Sequence, residues 1–413
     1  MEVPMVQRSS GTDIIRDVLE TDVYQCSQIH AANDLYPDDW SWYVVVDRDH
    51  EVYPKNFAGL VTEKFQDLRA LRSEDGLRNY LRQKWPFLGD FFTWIEKYRF
   101  VPEYIKVWQD EEGHLFGKIL GPWSDIILME QIFLAVVSQT RNEELEFYPD
   151  ENWVDELLKI IYNMRAANLK VSEFGLRRRA YNWMQDIVTD YLIKYGGEMY
   201  VSSSSPYHAR MSDMSPKGTV AHLWYLNHGA RFGVELANQA ASVAWRAIYG
   251  NDLGTALPDT WGSSFYWATM TPGMARLIKS YRHDSGDPYK FVDLARRFLI
   301  HPKNNIDPST ITLIFTDSLS DTKAKEIDAY ARRWFKTAYG IGGYFTNNKL
   351  FFKKTSNYKP LNMVVKPFAF SFDHGVSWVK VAKVPDSPGK NVGDPEVIAE
   401  IMKIKSRHFY TYF

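Results

Sequence analysis

The sequence predicts an α/β protein, an α/β barrel in preference to a doubly wound sheet, with a mixed first domain to which the C-terminal strands return. Two observations carry that prediction. Between Glu173 and Gly343, short apolar stretches end seven times in a cluster of small, charged or glycine residues, and a helical stretch often follows. That rhythm suits successive βα units, which keep their chemistry at the strand ends. Toward both termini the apolar segments instead alternate in the manner of antiparallel strands. The boundaries that follow are 1–140 for the N-terminal α+β domain, joined by 350–413, and 141–349 for the barrel.

In chain order, "WYVVV" at Trp42 to Val46 reads as a strand, and "YIKVWQDEEGHLFGKILG" as a strand pair. The apolar run "DIILMEQIFLAVVSQ" is interrupted by Glu130 and Gln131. It falls short of the ~18 apolar residues of a membrane span and reads as a buried helix or strand pair. The acidic "RNEELEFYPDENWVDE" reads as a solvated connection. The clusters are "EFGLRRR", "MYVSSSS", "KGTVAH", "LGTALPDTWG", "YRHDSGD", "IFTDSLS" and "YGIGG". After the arginines, Met184, Ile187, Val188, Tyr191 and Leu192 share one helix face, and Gly196 and Gly197 stop the run. Asp287 before Pro288 is an N-cap followed by proline at the first helical position, with Phe291, Leu294, Ala295 and Phe298 as the apolar face. Ser320 caps a helix marked by Ala324, Ile327, Ala331 and Trp334. Past Gly343, "LNMVVK" and "WVKVAKV" read as antiparallel strands.

A hydrophobic share of 45% and a charged share of 24% over 413 residues fit a globular chain of two domains. A net charge of -2 provides no basic footprint for nucleic acid. The lone Cys26 rules out an internal disulfide framework and agrees with a cytoplasmic setting, and the first residues have no apolar core of a secretion signal. No membrane partner is expected.

Arg177, Arg178 and Arg179 stand where a strand becomes a helix, so at least one guanidinium is expected in the barrel mouth. Arginine suits phosphate and carboxylate because its planar fork donates two hydrogen bonds at once. The competing reading is a solvated basic turn. "YGIGG" offers backbone N–H groups for a phosphate, or is a plain tight turn. His222, expected at a strand end, is a satisfied polar residue or a neutral nucleophile, with an ordinary pKa of about 6.5. Asp259, Asp284 and Asp317 are helix caps or a ring of carboxylates for Mg²⁺ or sugar hydroxyls. Gly286 permits a tight turn, and Ser285 beside it is a donor for ribose or phosphate.

These motifs occur together in one order: "LETDVYQ", "LGPWSDIILME", "EFGLRRR", "KGTVAHLW", "LGTALPDT", "RHDSGDP", "FTDSLS", "YGIGGYFTN", "KPLNMVVK" and "DSPGKNVGDP". On them the chain resembles the nicotinate phosphoribosyltransferase family over nearly its whole length. The resemblance implies transfer of phosphoribose from phosphoribosyl pyrophosphate to nicotinate, the first step of NAD synthesis from nicotinate. ATP hydrolysis is coupled through a phosphohistidine, which falls on His222, and Mg²⁺ enters through the substrate phosphates. Arg282 and Asp284 become catalytic residues, with Arg282 against the pyridine ring or its carboxylate. Substrate contacts fall on Tyr24, Leu176, Arg177, Arg178, Ser204, Asp259, Ser285, Gly286 and Asp317, and the 5′-phosphate on Gly342 and Gly343. The implied fold is an irregular α/β barrel plus a smaller α+β domain built from both chain ends. The implied assembly is a homodimer with active sites at the interface, where the neighbouring subunit contributes Tyr24.

Three positions depart from the family pattern. Ser202 to Ser205 replace Gly-Thr-Ser-Asn, Leu223 follows the histidine in place of Glu, and Gly343 replaces Thr. The first and third bear on substrate affinity and the second on ATP coupling. The rival readings are a transferase for nicotinamide, a glycoside hydrolase barrel and a non-catalytic binder of phosphoribosyl compounds. A neutral glycan needs neither the arginine cluster nor the glycine turn.

Overall fold

A computed structural model describes residues 8–355 and 357–408. The chain divides into two compact units. The first takes residues up to Asn33, Trp42–Gly218 and Ile341–Lys366, and the second takes Asp34–Ser41, Thr219–Gly340 and Pro367 onward. The units are interleaved along the chain and do not follow boundaries near 140 and 349. Local composition does not report which distant segment a strand will join.

In the first unit, helix α1 (Val23–Leu35) begins beside the predicted "LETDVYQ" motif. Strand β1 (Trp40–Asp47) contains "WYVVV", and helix α2 (Phe57–Asp67) follows it. Strands β2 (Ile105–Gln109) and β3 (Leu115–Pro122) form the expected antiparallel pair, with Val107 opposite Gly117. The long apolar run resolves as helix α3 (Met129–Glu144), buried from Met129 to Glu143. That helix extends into the stretch read as a solvated connection, which corrects the reading. Arg141 is buried and pairs with Glu51 at 2.6 Å, while Glu143 accepts from Gln139. These acidic and basic letters serve internal pairs.

Helix α4 (Trp153–Ala166) leads to strand β4 (Val171–Glu173), then helix α5 (Asn182–Tyr195) and strand β5 (Tyr200–Ser203). Strands β4 and β5 are parallel, with Glu173 opposite Ser203. Met184, Val188 and Leu192 are buried on α5, and Gly196 ends it as the periodicity predicts.

The second unit carries helices α6 (His222–Phe232) and α7 (Val234–Tyr249), then strand β6 (Thr255–Ala256) and helix α8 (Ser263–Thr269). Strand β7 (Ser280–His283), helix α9 (Pro288–Ile300), strand β8 (Thr312–Phe315), helix α10 (Asp321–Ala331) and strand β9 (Lys336–Ile341) follow. Strands β6 to β9 pair parallel in sequence order, with Tyr281 opposite Leu313 and Ile314 opposite Ala338. Parallel strands alternating with helices are the βα rhythm read from the clusters. One cluster departs, because the segment before His222 is irregular and holds no strand. Asp287 caps α9 by accepting from the amides of Tyr289 and Lys290, and Ser320 caps α10 through the amide of Lys323. Trp334 lies beyond the end of α10. Behind the strands, Trp267 packs on Tyr281, Phe291 and Phe298.

Strand β10 (Met363–Ser371) contains part of "LNMVVK", and its end pairs antiparallel with β11 (Val379–Lys380). The predicted strand "WVKVAKV" is therefore two strands. Its second half is β12 (Ala382–Lys383), which pairs with β13 (Val392–Gly393) ahead of the terminal helix α11 (Pro395–His408). No helix among the described residues is long and apolar enough to cross a membrane.

Candidate active site

At the β6 and β7 ends of the second unit, four predicted residues converge on His222. The His222 ring is buried at the start of α6. Its Nδ1 lies 3.0 Å from Thr260 Oγ1, and its Nε2 lies 3.2 Å from Asp284 Oδ2 and 3.7 Å from Asp259 Oδ1. Burial, and then the nearby Lys383 ammonium, lower the His222 pKa to about 4 despite both carboxylates. The imidazole is therefore neutral near pH 7, the state a nucleophile requires.

Asp284 is a hub. Its Oδ1 accepts from Arg282 Nη2 at 2.8 Å and from Thr316 Oγ1 at 2.5 Å. Burial opposes its charge, but Arg282, His222 and Lys383 outweigh that and hold it well below the carboxylate range. Arg282 also donates from Nε to Thr316 at 2.9 Å and from Nη1 to Thr219 at 3.0 Å, which fixes the guanidinium plane. Asp259 is fully buried, and burial opposes its charge too, while Lys383 and His222 lower its pKa. Ser285 donates to Asp259 Oδ2 at 2.6 Å. Gly286 follows with a positive φ of 86°, and its amide donates to Ser387 Oγ at 2.9 Å. Asp317 stands apart from this cluster, 3.3 Å from Lys390.

The first unit holds the other predicted residues. Leu176, Arg177 and Arg178 form a 3₁₀ turn after β4, with Leu176 buried and both arginines half-buried. Arg177 reaches Glu130 at 3.4 Å, and Lys366 reaches the same carboxylate oxygen at 3.0 Å. Burial disfavours the Glu130 charge, yet Lys366 and Arg177 together lower its pKa. Arg179 turns the other way. It is fully buried and bonds Glu20 at 2.7 Å, Gln185 at 2.8 Å and the Ile14 carbonyl at 2.5 Å. Tyr24 is buried and its hydroxyl accepts from Gln131 at 3.3 Å, while burial raises its pKa. Ser204 is buried and donates to Asp22. Gly342 and Gly343 follow β9, and the Gly342 Cα faces the Phe174 carbonyl so closely that a Cβ would stand 3.3 Å from its oxygen.

A sequence model of the nicotinate phosphoribosyltransferase (NAPRTase) family matches residues 169–411, and a model of its N-terminal domain matches residues 19–138. The chain belongs to this family. It is 31% identical over 389 residues to the nicotinate phosphoribosyltransferase of Chromohalobacter salexigens, covering 93% of this chain and 97% of that one. Against the protein of that name from Methanosarcina mazei the identity is 29%, covering 93% and 97%. The crystal structure of nicotinate phosphoribosyltransferase from Porphyromonas gingivalis superposes with a TM-score of 0.90 at 30% identity, covering 95% of this chain and 100% of that one.

Measured against the nicotinate phosphoribosyltransferase pattern, two of the three departures have visible settings. Ser203 donates to the buried Glu173 at 2.6 Å and Ser205 lies 3.1 Å from His208 Nδ1, so these serines are tied into the scaffold. A Cβ on Gly343 would meet only Asn347 Cβ, at an ordinary contact distance of 3.9 Å, so the loop has room for a Cβ there. Lys383, Thr219, Thr260, Thr316, Glu130 and Lys366 were not singled out as site residues, although all but Lys383 stand inside the motifs quoted above. Each lies far along the chain from its partner, and no spacing rule connects them.

His222, Asp259 and Asp284 offer ligand atoms within 4.8 Å of one another. This set does not fit a resident Mg²⁺. Lys383 Nζ already stands 2.9 Å from His222 Nε2 and 3.5 Å from Asp259 Oδ2, and Arg282 occupies Asp284 Oδ1 at 2.8 Å. Mg²⁺ keeps several waters and favours oxygen ligands shared with phosphates.

Proposed function

We propose that this chain transfers phosphoribose from phosphoribosyl pyrophosphate to nicotinate. The products are nicotinate mononucleotide and pyrophosphate, with ATP hydrolysed to ADP and phosphate through phosphorylation of His222. The observation that carries the reading is the neutral, buried His222 held between Thr260 and the Asp259–Asp284 pair. In the transfer, the pyridine nitrogen forms a bond to the anomeric carbon as the bond to pyrophosphate breaks. Positive charge builds on the ribose, and Asp259 and Asp284 supply fixed negative charge for it and for its hydroxyls. Arg282, immobilised by three partners, suits the ring or carboxylate of nicotinate. The Arg177–Arg178 turn and the Gly342–Gly343 amides suit the anionic phosphates. Mg²⁺ arrives as the complex of the two phosphorylated substrates. A homodimer belongs to the same proposal, and sedimentation tests it.

The direct test offers nicotinate and nicotinamide side by side with phosphoribosyl pyrophosphate, and reads mononucleotide formed. Nicotinate is expected to react faster. Preference for nicotinamide would overturn the choice of substrate, and binding of phosphoribosyl pyrophosphate without product would overturn the transferase reading. Substituting His222→Ala should abolish the stimulation by ATP and leave slow uncoupled synthesis. ATP stimulation that survives the change would remove His222 from the coupling.

A further inference from the structure

The phosphorylation site has a cation that no motif of the sequence points to. Lys383 sits on β12, in the part of "WVKVAKV" that pairs with β13. Its side chain is almost wholly buried, an expensive position for an ammonium unless carboxylates and hydrogen bonds surround it. Here Nζ lies 2.9 Å from His222 Nε2 and 3.5 Å from Asp259 Oδ2. The charged groups around His222 are thus Asp259 on the turn after β6, Asp284 after β7 and Lys383 on β12, with Arg282 behind Asp284.

We propose that Lys383 is a positioning residue for phosphorylation of His222, directing the Nε2 lone pair before transfer and meeting the phosphoryl charge after it. The proposal rests on the ATP-coupled reading above. In the step, the bond between the γ-phosphorus of ATP and its bridging oxygen breaks, and ADP leaves with the electron pair. A bond forms between Nε2 and phosphorus. With the ring proton on Nδ1, 3.0 Å from Thr260 Oγ1, Nε2 carries the lone pair and no base is needed. The Lys383 hydrogen bond to Nε2 is exchanged for one to a phosphoryl oxygen. This arrangement gives the histidine a cation in a chain where Leu223 stands in place of the family's glutamate.

The test follows acid-labile phosphate on the full-length protein with γ-labelled ATP, in wild type, Lys383→Met and Lys383→Arg. Absence of labelling in wild type sinks the ATP-coupled reading itself. With wild type labelled, Lys383→Met should slow labelling by about tenfold or more, and Lys383→Arg should recover part of the rate. The acid limb of the labelling profile, where His222 takes up a proton, should move to higher pH in Lys383→Met and stay in place in Lys383→Arg. A merely structural lysine would not move that limb. Wild-type labelling by Lys383→Met, or an unmoved acid limb, overturns the proposal. If Lys383→Met does not fold, Lys383→Gln takes its place under the same two criteria.

Discussion

Changing Glu20→Gln removes the charge opposite the most deeply buried cation of the first unit. Glu20 and Arg179 are both fully buried and 2.7 Å apart, and Arg16 adds a second guanidinium at 2.8 Å. Burial opposes the Glu20 charge, but Arg179 and then Arg16 more than offset it and lower its pKa from 4.5 to about 2. That depression corresponds to about 3 kcal/mol of stabilisation. The folded-state value is depressed, so the stabilisation is complete above the unfolded value near 4.5 and is lost as pH falls toward about 2. Glutamine leaves Arg179 buried without a counter-charge, a loss of about 3–5 kcal/mol in comparable pairs. Urea unfolding at pH 7 should show a loss of about 3 kcal/mol for Glu20→Gln. The double variant with Arg179→Met should lose less than the two single changes summed, because neither charge is stranded. Arg179 also anchors the turn carrying Arg177 and Arg178, so Glu20→Gln should raise KM for phosphoribosyl pyrophosphate. A stability change below about 1 kcal/mol would refute the burial argument.

Further outcomes follow from single sites. His228 is buried between the Trp224 carbonyl at 2.8 Å and the Tyr36 hydroxyl at 3.0 Å, and burial lowers its pKa to about 4. Its folded value is depressed, so wild type should lose about 3 kcal/mol relative to His228→Gln as pH falls from about 6.5 to about 4. A difference that stays constant over that window would contradict this. Gly286→Ala forces a positive φ on alanine and places its Cβ 2.6 Å from Asp386 Cβ. Denaturant titration should register a loss of about 1–3 kcal/mol, and unchanged stability would contradict the contact. Gly343→Thr should keep stability within about 0.5 kcal/mol and lower KM for phosphoribosyl pyrophosphate, which steady-state kinetics reads.

The fold was legible where a local rule decides it. The Asp287–Pro288 helix start, the Ser320 cap, the α5 face ending at Gly196 and the short strands that run into every cluster but the one before His222 all depend on neighbours within a few residues. Long-range pairing was not legible. Arg179 looks like its two half-buried neighbours in the letters, yet its partner Glu20 lies 159 positions away and takes it inside. The acidic run after Thr140 reads as solvated, although Arg141 finds Glu51 across 90 positions. In the site, motif order gathered His222, Asp259, Arg282, Asp284 and Ser285. Lys383 escaped because strand alternation gives a lysine no reason to face inward, and His222 lies 161 positions before it. Asp317 shares the motif pattern but pairs with Lys390.

One measurement bears most directly on the central claim. Pyrophosphate and ADP are counted during turnover of the purified protein with nicotinate and phosphoribosyl pyrophosphate, with and without ATP. The predicted result is pyrophosphate release that requires nicotinate and rises with ATP, accompanied by ADP and lost from the ATP-stimulated part in His222→Ala. Tight binding of phosphoribosyl pyrophosphate with no pyrophosphate released under any of these conditions would contradict the account.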